Sequence, residues 1–221
     1  MFTNNVYYSI ITIYLKGRKN YEKNTFLFAL VFTFVFGGAL SVSAADGGPS
    51  YIPIGEGGGT SYGNYPNTNI EIKPGDLLYS KKSVSTFYVG HIGIVGTDGK
   101  VHHTLPADPS ASHPVSTFLS NFDTVTLIRP NNATSAQRTT AGYWAVNNIN
   151  YVTNYSFTNN PYSISNNYCS KFVWLAYDYA RVDIATYKTV LYDPILGYYG
   201  MYILPSQIYN DTNNTKVKVL N

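Results

Sequence analysis

A chain of 221 residues with a single cysteine has no internal disulfide to lean on, so its fold must be held by an apolar core. That cysteine, Cys169, lies in Asn166-Asn-Tyr-Cys-Ser-Lys-Phe-Val-Trp-Leu-Ala-Tyr-Asp-Tyr-Ala180. Its solitude matters more because the chain opens like an exported protein. The apolar stretch Phe26–Phe36 follows Lys16, Arg18, Lys19 and Lys23 and precedes Ser41-Val-Ser-Ala-Ala45. This layout predicts a secretory signal peptide over residues 1–45. The apolar run falls short of the roughly 20 residues that span a bilayer, and Gly37-Gly38 interrupts it, so no stable membrane span is expected after cleavage. Cleavage after Ala45 takes the formal charge from +3 to zero, with eleven Lys and Arg against eleven Asp and Glu. The basic balance belongs to the leader, and no nucleic-acid footprint remains. A lone thiol in such a protein is a packing residue, half of an intermolecular bridge, or a nucleophile.

Residues 46–69 are dense in Gly, Pro, Ser and Asn and read as a linker or pro-segment that cannot bury enough apolar surface to order itself. Residues 70–221 suit one domain with a complete core. Within it, His91-Ile-Gly-Ile-Val95 predicts a short buried strand, Thr97-Asp-Gly-Lys100 a turn with glycine at a positive φ, and Val101–Leu105 the returning strand. A further strand is expected over Thr124–Arg129, closed by Pro130, and a last one over Thr215–Leu220, after a turn-rich tail. Ser135–Val146 reads as a helix capped by Ser135 or Thr134. Phe172, Val173, Ala176, Tyr177 and Ala180 recur at spacings of three and four, which predicts a second helix with a buried face. Cys169 precedes that face by one turn, at the helix amino terminus, with Asn166 or Asn167 available as caps.

A cysteine at a helix amino terminus sits where free N–H groups and the helix dipole favour a thiolate and an oxyanion. The plain alternative is a buried small hydrophobe. A nucleophilic cysteine needs an imidazole as base and a third group to orient it. Four histidines are available. His91 opens its strand between Gly90 and Gly93, which leave room for a close approach. In the hairpin, one of His102 and His103 must share the face of His91 and the other must point away. His113, in Ser-Ala-Ser-His-Pro, reads as a loop residue with no role. No spacing matches a zinc signature, so neither a metal nor another cofactor is expected.

Lys73-Pro-Gly-Asp-Leu-Leu78, Gly90-His-Ile-Gly-Ile-Val95, Asp98-Gly-Lys-Val-His-His103 and Tyr168-Cys-Ser-Lys-Phe-Val-Trp-Leu-Ala-Tyr177 together resemble the circularly permuted NlpC-type cysteine amidases, in their YiiX/YebB-like branch. Leu204–Tyr209 resembles that branch's closing segment. As in the permuted branch, the histidine strand precedes the cysteine helix. The resemblance covers residues 70–221 and implies an α+β, papain-like domain: an antiparallel sheet or half-barrel packed against the helix that carries the cysteine. It implies Cys169 as nucleophile, His91 as base and His103, rather than His102, as the polar third member. Tyr155 or Tyr151, together with Tyr168 and Ser170, are the candidates for oxyanion or substrate contacts. Relatives often carry Glu where this chain has Lys171, so any contact made by that acid is in question. The implied activity is a secreted thiol hydrolase acting on amide, or ester, bonds of peptides or small amides, with peptidoglycan-derived peptides the natural class, working as a monomer. Two alternatives stand beside it: a non-catalytic secreted binding module on the same fold, and an acyltransferase or lipid amidase using the same residues.

Overall fold

The computed structural model describes residues 61–81, 90–158, 160–193 and 198–221. The expected signal peptide and residues 46–60 of the expected linker lie outside them.

The segment Lys73-Pro-Gly-Asp76 steers the chain into the first strand, and local chemistry explains its composition. The Lys73 N–H donates to Asp76 Oδ2 at 3.0 Å and closes the turn. Gly75 has φ +82°, and a Cβ there would lie 2.5 Å from the Arg138 carbonyl oxygen, so only glycine fits. Its own carbonyl accepts from the Tyr177 hydroxyl. Asp76 is fully buried and accepts from Arg129 Nε at 2.6 Å, Arg129 Nη2 at 2.8 Å and the Tyr65 hydroxyl at 2.9 Å. A buried carboxylate is tolerable only when satisfied in this way.

Strands β1 (Leu77–Ser80), β2 (His91–Val95), β3 (Lys100–His103), β4 (Ala111–Pro114), β5 (Val125–Pro130) and β10 (Asn214–Val219) form one sheet in the order β10-β5-β1-β2-β3-β4, with every neighbouring pair antiparallel. Helices cover both faces. Leu77, Tyr79, Ile92, Ile94 and Ile128 pack with helices α2 (Ser135–Asn148) and α3 (Cys169–Tyr179). Leu78, Val95, Val101, Val125 and Leu127 pack with α1 (Val115–Asn121) through Val115, Phe118 and Leu119. Double-sided burial is why β2 reads as an unbroken apolar run instead of an alternating one. A short helix, α4 (Pro205–Asn210), precedes β10. Two smaller pairings complete the described residues: β6 (Asn154–Tyr155) runs parallel to β7 (Asn166–Asn167), and β8 (Thr189–Asp193) antiparallel to β9 (Tyr198–Tyr202). The fold is thus the expected α+β arrangement, an antiparallel sheet packed against the helix that carries the cysteine. No helix among the described residues is long and apolar enough to cross a membrane.

The turn at Gly99 has φ +75°, as the hairpin reading requires, and Thr134, not Ser135, caps α2 in a capping box with Gln137. Four expectations need correction. The packed chain reaches back into the segment read as linker: Tyr65 is 1% exposed and is held by Asp76, because tyrosine supplies the apolar area that Gly, Ser and Asn lack. The segment around His113 is not a loop but the edge strand β4, with Pro114 at its end where an edge tolerates it. The tail contains a β-hairpin besides its turns. Finally, neither Asn166 nor Asn167 caps α3. Its N-cap is Tyr168, with no side-chain cap, because Asn167 Oδ1 accepts instead from the Tyr168 N–H at 3.0 Å.

Candidate active site

An uncapped helix amino terminus leaves its first N–H groups available to a substrate or a thiolate. Cys169 stands there, 2% exposed, in the apolar cluster between the sheet and α3. Strand β2 supplies the next group. The Val95 N–H donates to the Asp76 carbonyl at 2.8 Å, which fixes Gly93 and His91 as the residues exchanging bonds with β1. The Ile92 N–H therefore points toward β3. There the β2–β3 ladder holds only Ile94↔His102 and Val95↔Val101, and the strands part beyond it. Through that opening the Ile92 N–H faces the Cys169 sulfur.

Tyr155 is brought to the same sulfur by the β6–β7 pairing, which sets it opposite Asn167, two residues before the cysteine. Lys171 fastens this approach segment. Its side chain is buried, and Nζ donates to the Ser163 carbonyl at 2.7 Å and the Asn166 carbonyl at 2.8 Å. Burial pushes its amine down to about 7. At the position where relatives often place an acid, this chain thus has an internal tether for the loop before the cysteine. Ser170 and Tyr168 serve a different neighbour. The Ser170 hydroxyl donates to the Ile203 carbonyl at 2.7 Å, and the Tyr168 hydroxyl accepts from the Ile203 N–H at 3.0 Å. With its proton committed to Ile203, the Ser170 hydroxyl leaves the Ser170 N–H, the Ile92 N–H and the Tyr155 hydroxyl as donors toward the sulfur.

The histidines follow from register. Val101 pairs with His113 and His103 with Ala111, so His103 and His113 lie diagonally on one face of β3 and β4. His91 lies on the same face of β2. His91 Nε2 is 2.8 Å from His103 Nδ1, and His103 Nε2 is 2.9 Å from His113 Nδ1. Gly93 makes the first contact possible. A Cβ there would come within 2.6 Å of Val101 Cγ1 and 3.3 Å of His103 Cβ. Phe122 stacks on His91 with ring centroids 4.5 Å apart, and Phe118 meets His103 edge-on at 5.1 Å. His102 points to the other face, between Ser112 Oγ at 2.8 Å and Asp98 Oδ1 at 2.9 Å. The structure therefore joins His91 to His103 and separates His102 from both. It also adds His113, to which the sequence alone assigns no role. Its role depends on the β3–β4 register, which local sequence does not carry.

The rings and the sulfur approach β2 from opposite faces, at the level where β2 and β3 are not paired. Electrostatics set their resting state. Burial raises the Cys169 thiol above its ordinary value, and the Ile92 and Ser170 donors and Tyr155 offset only part of that. Burial lowers His91 to about 3 and holds His103 well below the imidazole range, with its histidine neighbours adding to the effect. At neutral pH the resting groups are a neutral thiol and neutral imidazoles, not a preformed ion pair. Burial, and then the proximity of Cys169, raise Tyr155, so it remains a hydroxyl donor.

An antiparallel sheet, a helix led by a buried cysteine and an imidazole pair on adjacent strands define the papain-like class of cysteine hydrolases, here with the histidines before the cysteine. The chain belongs to the permuted papain-like amidase enzyme family YaeF/YiiX, C92, whose model matches residues 71–201. A solved structure described as the crystal structure of metalloprotein yiiX from Escherichia coli O157:H7, DUF1105, is similar in fold. It superposes with a TM-score of 0.51 at 14% identity, covering 66% of this chain and 97% of that one. Among curated proteins nothing matches the chain.

Proposed function

We propose that this amidase is an exported cysteine hydrolase in which Cys169 attacks an amide carbonyl, His91 takes the thiol proton and His103 orients His91. The observation that carries the reading is the Cys169 sulfur at the uncapped start of α3. There it faces the Ile92 N–H, next in the chain to a histidine hydrogen-bonded to a second one. Attack forms the S–C bond. The backbone N–H groups at the helix start and the Tyr155 hydroxyl receive the developing oxyanion. His91 then hands the proton to the leaving nitrogen, the C–N bond breaks, and water releases the acyl group from sulfur.

Short cell-wall peptides are the substrate class we assign, with residues 1–45 acting as the export signal. Phe157 is half exposed, stacked on Tyr168 at 4.6 Å and edge-on to Tyr155 at 6.2 Å, and so gives an apolar group of the substrate a surface beside the site. Similarity to a metalloprotein does not bring a metal to this chain. The three imidazoles are strung nitrogen to nitrogen, and both nitrogens of His103 are spent on its neighbours, so they do not converge on one ion. Among the described residues no group of three His, Cys, Asp or Glu side chains could hold one.

The test is release of free amine and carboxylate from cell-wall tetrapeptides, followed by mass spectrometry, in the parent chain, Cys169→Ala and His91→Ala. Both variants are expected to lose at least about a hundredfold in kcat/KM. Unchanged rates in either would sink the assignment of that residue, and transfer of the acyl group to an added amine in place of water would mark an acyltransferase.

A further inference from the structure

The histidine pair is continued by a third imidazole, and the base role proposed for His91 sets the direction of the hydrogen bonds. For His91 to accept the Cys169 proton, its Nδ1 must carry the lone pair, and Nε2 then carries hydrogen. Among the described residues the acceptor placed for that hydrogen is His103 Nδ1, at 2.8 Å. His103 must then hold its own hydrogen on Nε2, and that hydrogen needs an acceptor, His113 Nδ1, at 2.9 Å. His103 is fully buried, whereas His113 is only half-buried on the edge strand β4, so the chain of rings runs from the core outward.

We infer that His113 is a positioning residue for this reaction: by accepting the His103 Nε2 hydrogen it fixes the tautomer of His103 and, through it, the tautomer that lets His91 act as base. Without that acceptor, His103 gains by moving its hydrogen to Nδ1, facing His91. His91 must then present a lone pair at Nε2 and hold hydrogen on Nδ1, where it can no longer take a proton from sulfur. A wrong tautomer of this kind abolishes base catalysis while leaving the fold intact. The groups around the wire do not compete for the role. His102 and Asp98 are engaged with each other on the opposite face. Lys100, on β3, pairs with Pro114, and α1, which covers the rings, carries no charged residue.

The inference rests on Cys169 and His91 being the reacting pair, and the experiment separates the two. Full-length protein is prepared as the parent, His91→Ala, His113→Phe and His113→Asn, and kcat, KM and the pH profile of Cys169 alkylation by iodoacetamide are measured. Asparagine places a carbonyl oxygen near the position of Nδ1 and can accept, whereas phenylalanine fills the space and cannot. His113→Phe is expected to lower kcat by about tenfold or more with little change in KM, and to shift the alkylation profile toward that of an unassisted thiol. His113→Asn is expected to recover most of both. Equal impairment in the Phe and Asn variants, or parent-like kinetics in the Phe variant, would overturn the role of His113. Parent-like alkylation in His91→Ala would instead overturn the reacting pair. The parent protein gives an independent reading by 15N NMR. His103 should show a protonated Nε2 and an unprotonated Nδ1, and the reverse tautomer refutes the inference without any variant.

Discussion

His91 is moved away from its solution behaviour by burial, and Cys169 by burial that its hydrogen-bond donors only partly offset, and the direction of each shift has a consequence for rate. A base whose pKa is lowered keeps its lone pair to lower pH. With His91 at about 3, the acidic limb of kcat/KM is expected below pH 5 instead of near the ordinary imidazole value of about 6.5. Half-maximal activity at pH 6 to 7 in a pH series would contradict this. The same shift weakens the fold in acid. Between about 6.5 and about 3 the unfolded chain protonates His91 while the folded chain does not, so stability falls by about 1.4 kcal/mol per pH unit from that ring, and His103, also held below the imidazole range, adds a loss of the same sign. The profile therefore has to be read beside near-UV circular dichroism. Lys171 is the third residue remade by its surroundings: its two backbone carbonyls and its burial turn a charged helix residue into a tether.

Among the elements, the β2–β3 pair decides most. It pairs closely at one end, where Ile94 and Val95 meet His102 and Val101, and parts at the other, where the Ile92 N–H is turned to the sulfur. Gly93 lies at the transition. Replacing it with alanine inserts a methyl 2.6 Å from Val101 Cγ1 and pushes toward His103. We expect Gly93→Ala to cost about 1–3 kcal/mol by overpacking and to lengthen the His91–His103 contact. Chemical denaturation and the 15N spectrum of the imidazoles check the two effects separately, and a variant as stable as the parent with unchanged ring signals would contradict both. Helix α3 contributes by what it lacks. Its missing side-chain cap leaves N–H groups at the sulfur, a local stability cost of about 1 kcal/mol relative to a capped helix.

For the molecule as a whole, the boundary of the folded unit lies earlier than composition implied. Tyr65 fills the α1 side of the core and donates to Asp76, which in turn holds Arg129 of β5, so one residue of the Gly-rich segment ties into the centre of the sheet. A chain starting at Ile70 is expected to be less stable than one starting at Asp46 by about 2–4 kcal/mol, from one buried tyrosine and its hydrogen bond. Equal denaturation midpoints would show that Tyr65 adds nothing. The same comparison tests whether residues 46–69 act as an inhibitory pro-segment, since relief of inhibition would raise activity in the shorter chain as its stability falls.

Strong local signals were enough to read the β2 run, the turn at Gly99, the periodic helix behind Cys169, and the candidacy of Cys169, His91 and one histidine of the 102–103 pair. Those features are written in nearest-neighbour terms, as period, turn chemistry and spacing along the chain. Strand pattern left His102 and His103 open as the partner of His91, the family resemblance named His103, and the register placed it there; that His113 joins them, that Lys171 turns inward, and that Ile92 lends its N–H to the sulfur came only with the tertiary structure. Each depends on strand register or on the gap between two strands, and register is set by pairing partners distant in sequence. A single-residue slip would have exchanged His102 for His103 without changing any local preference.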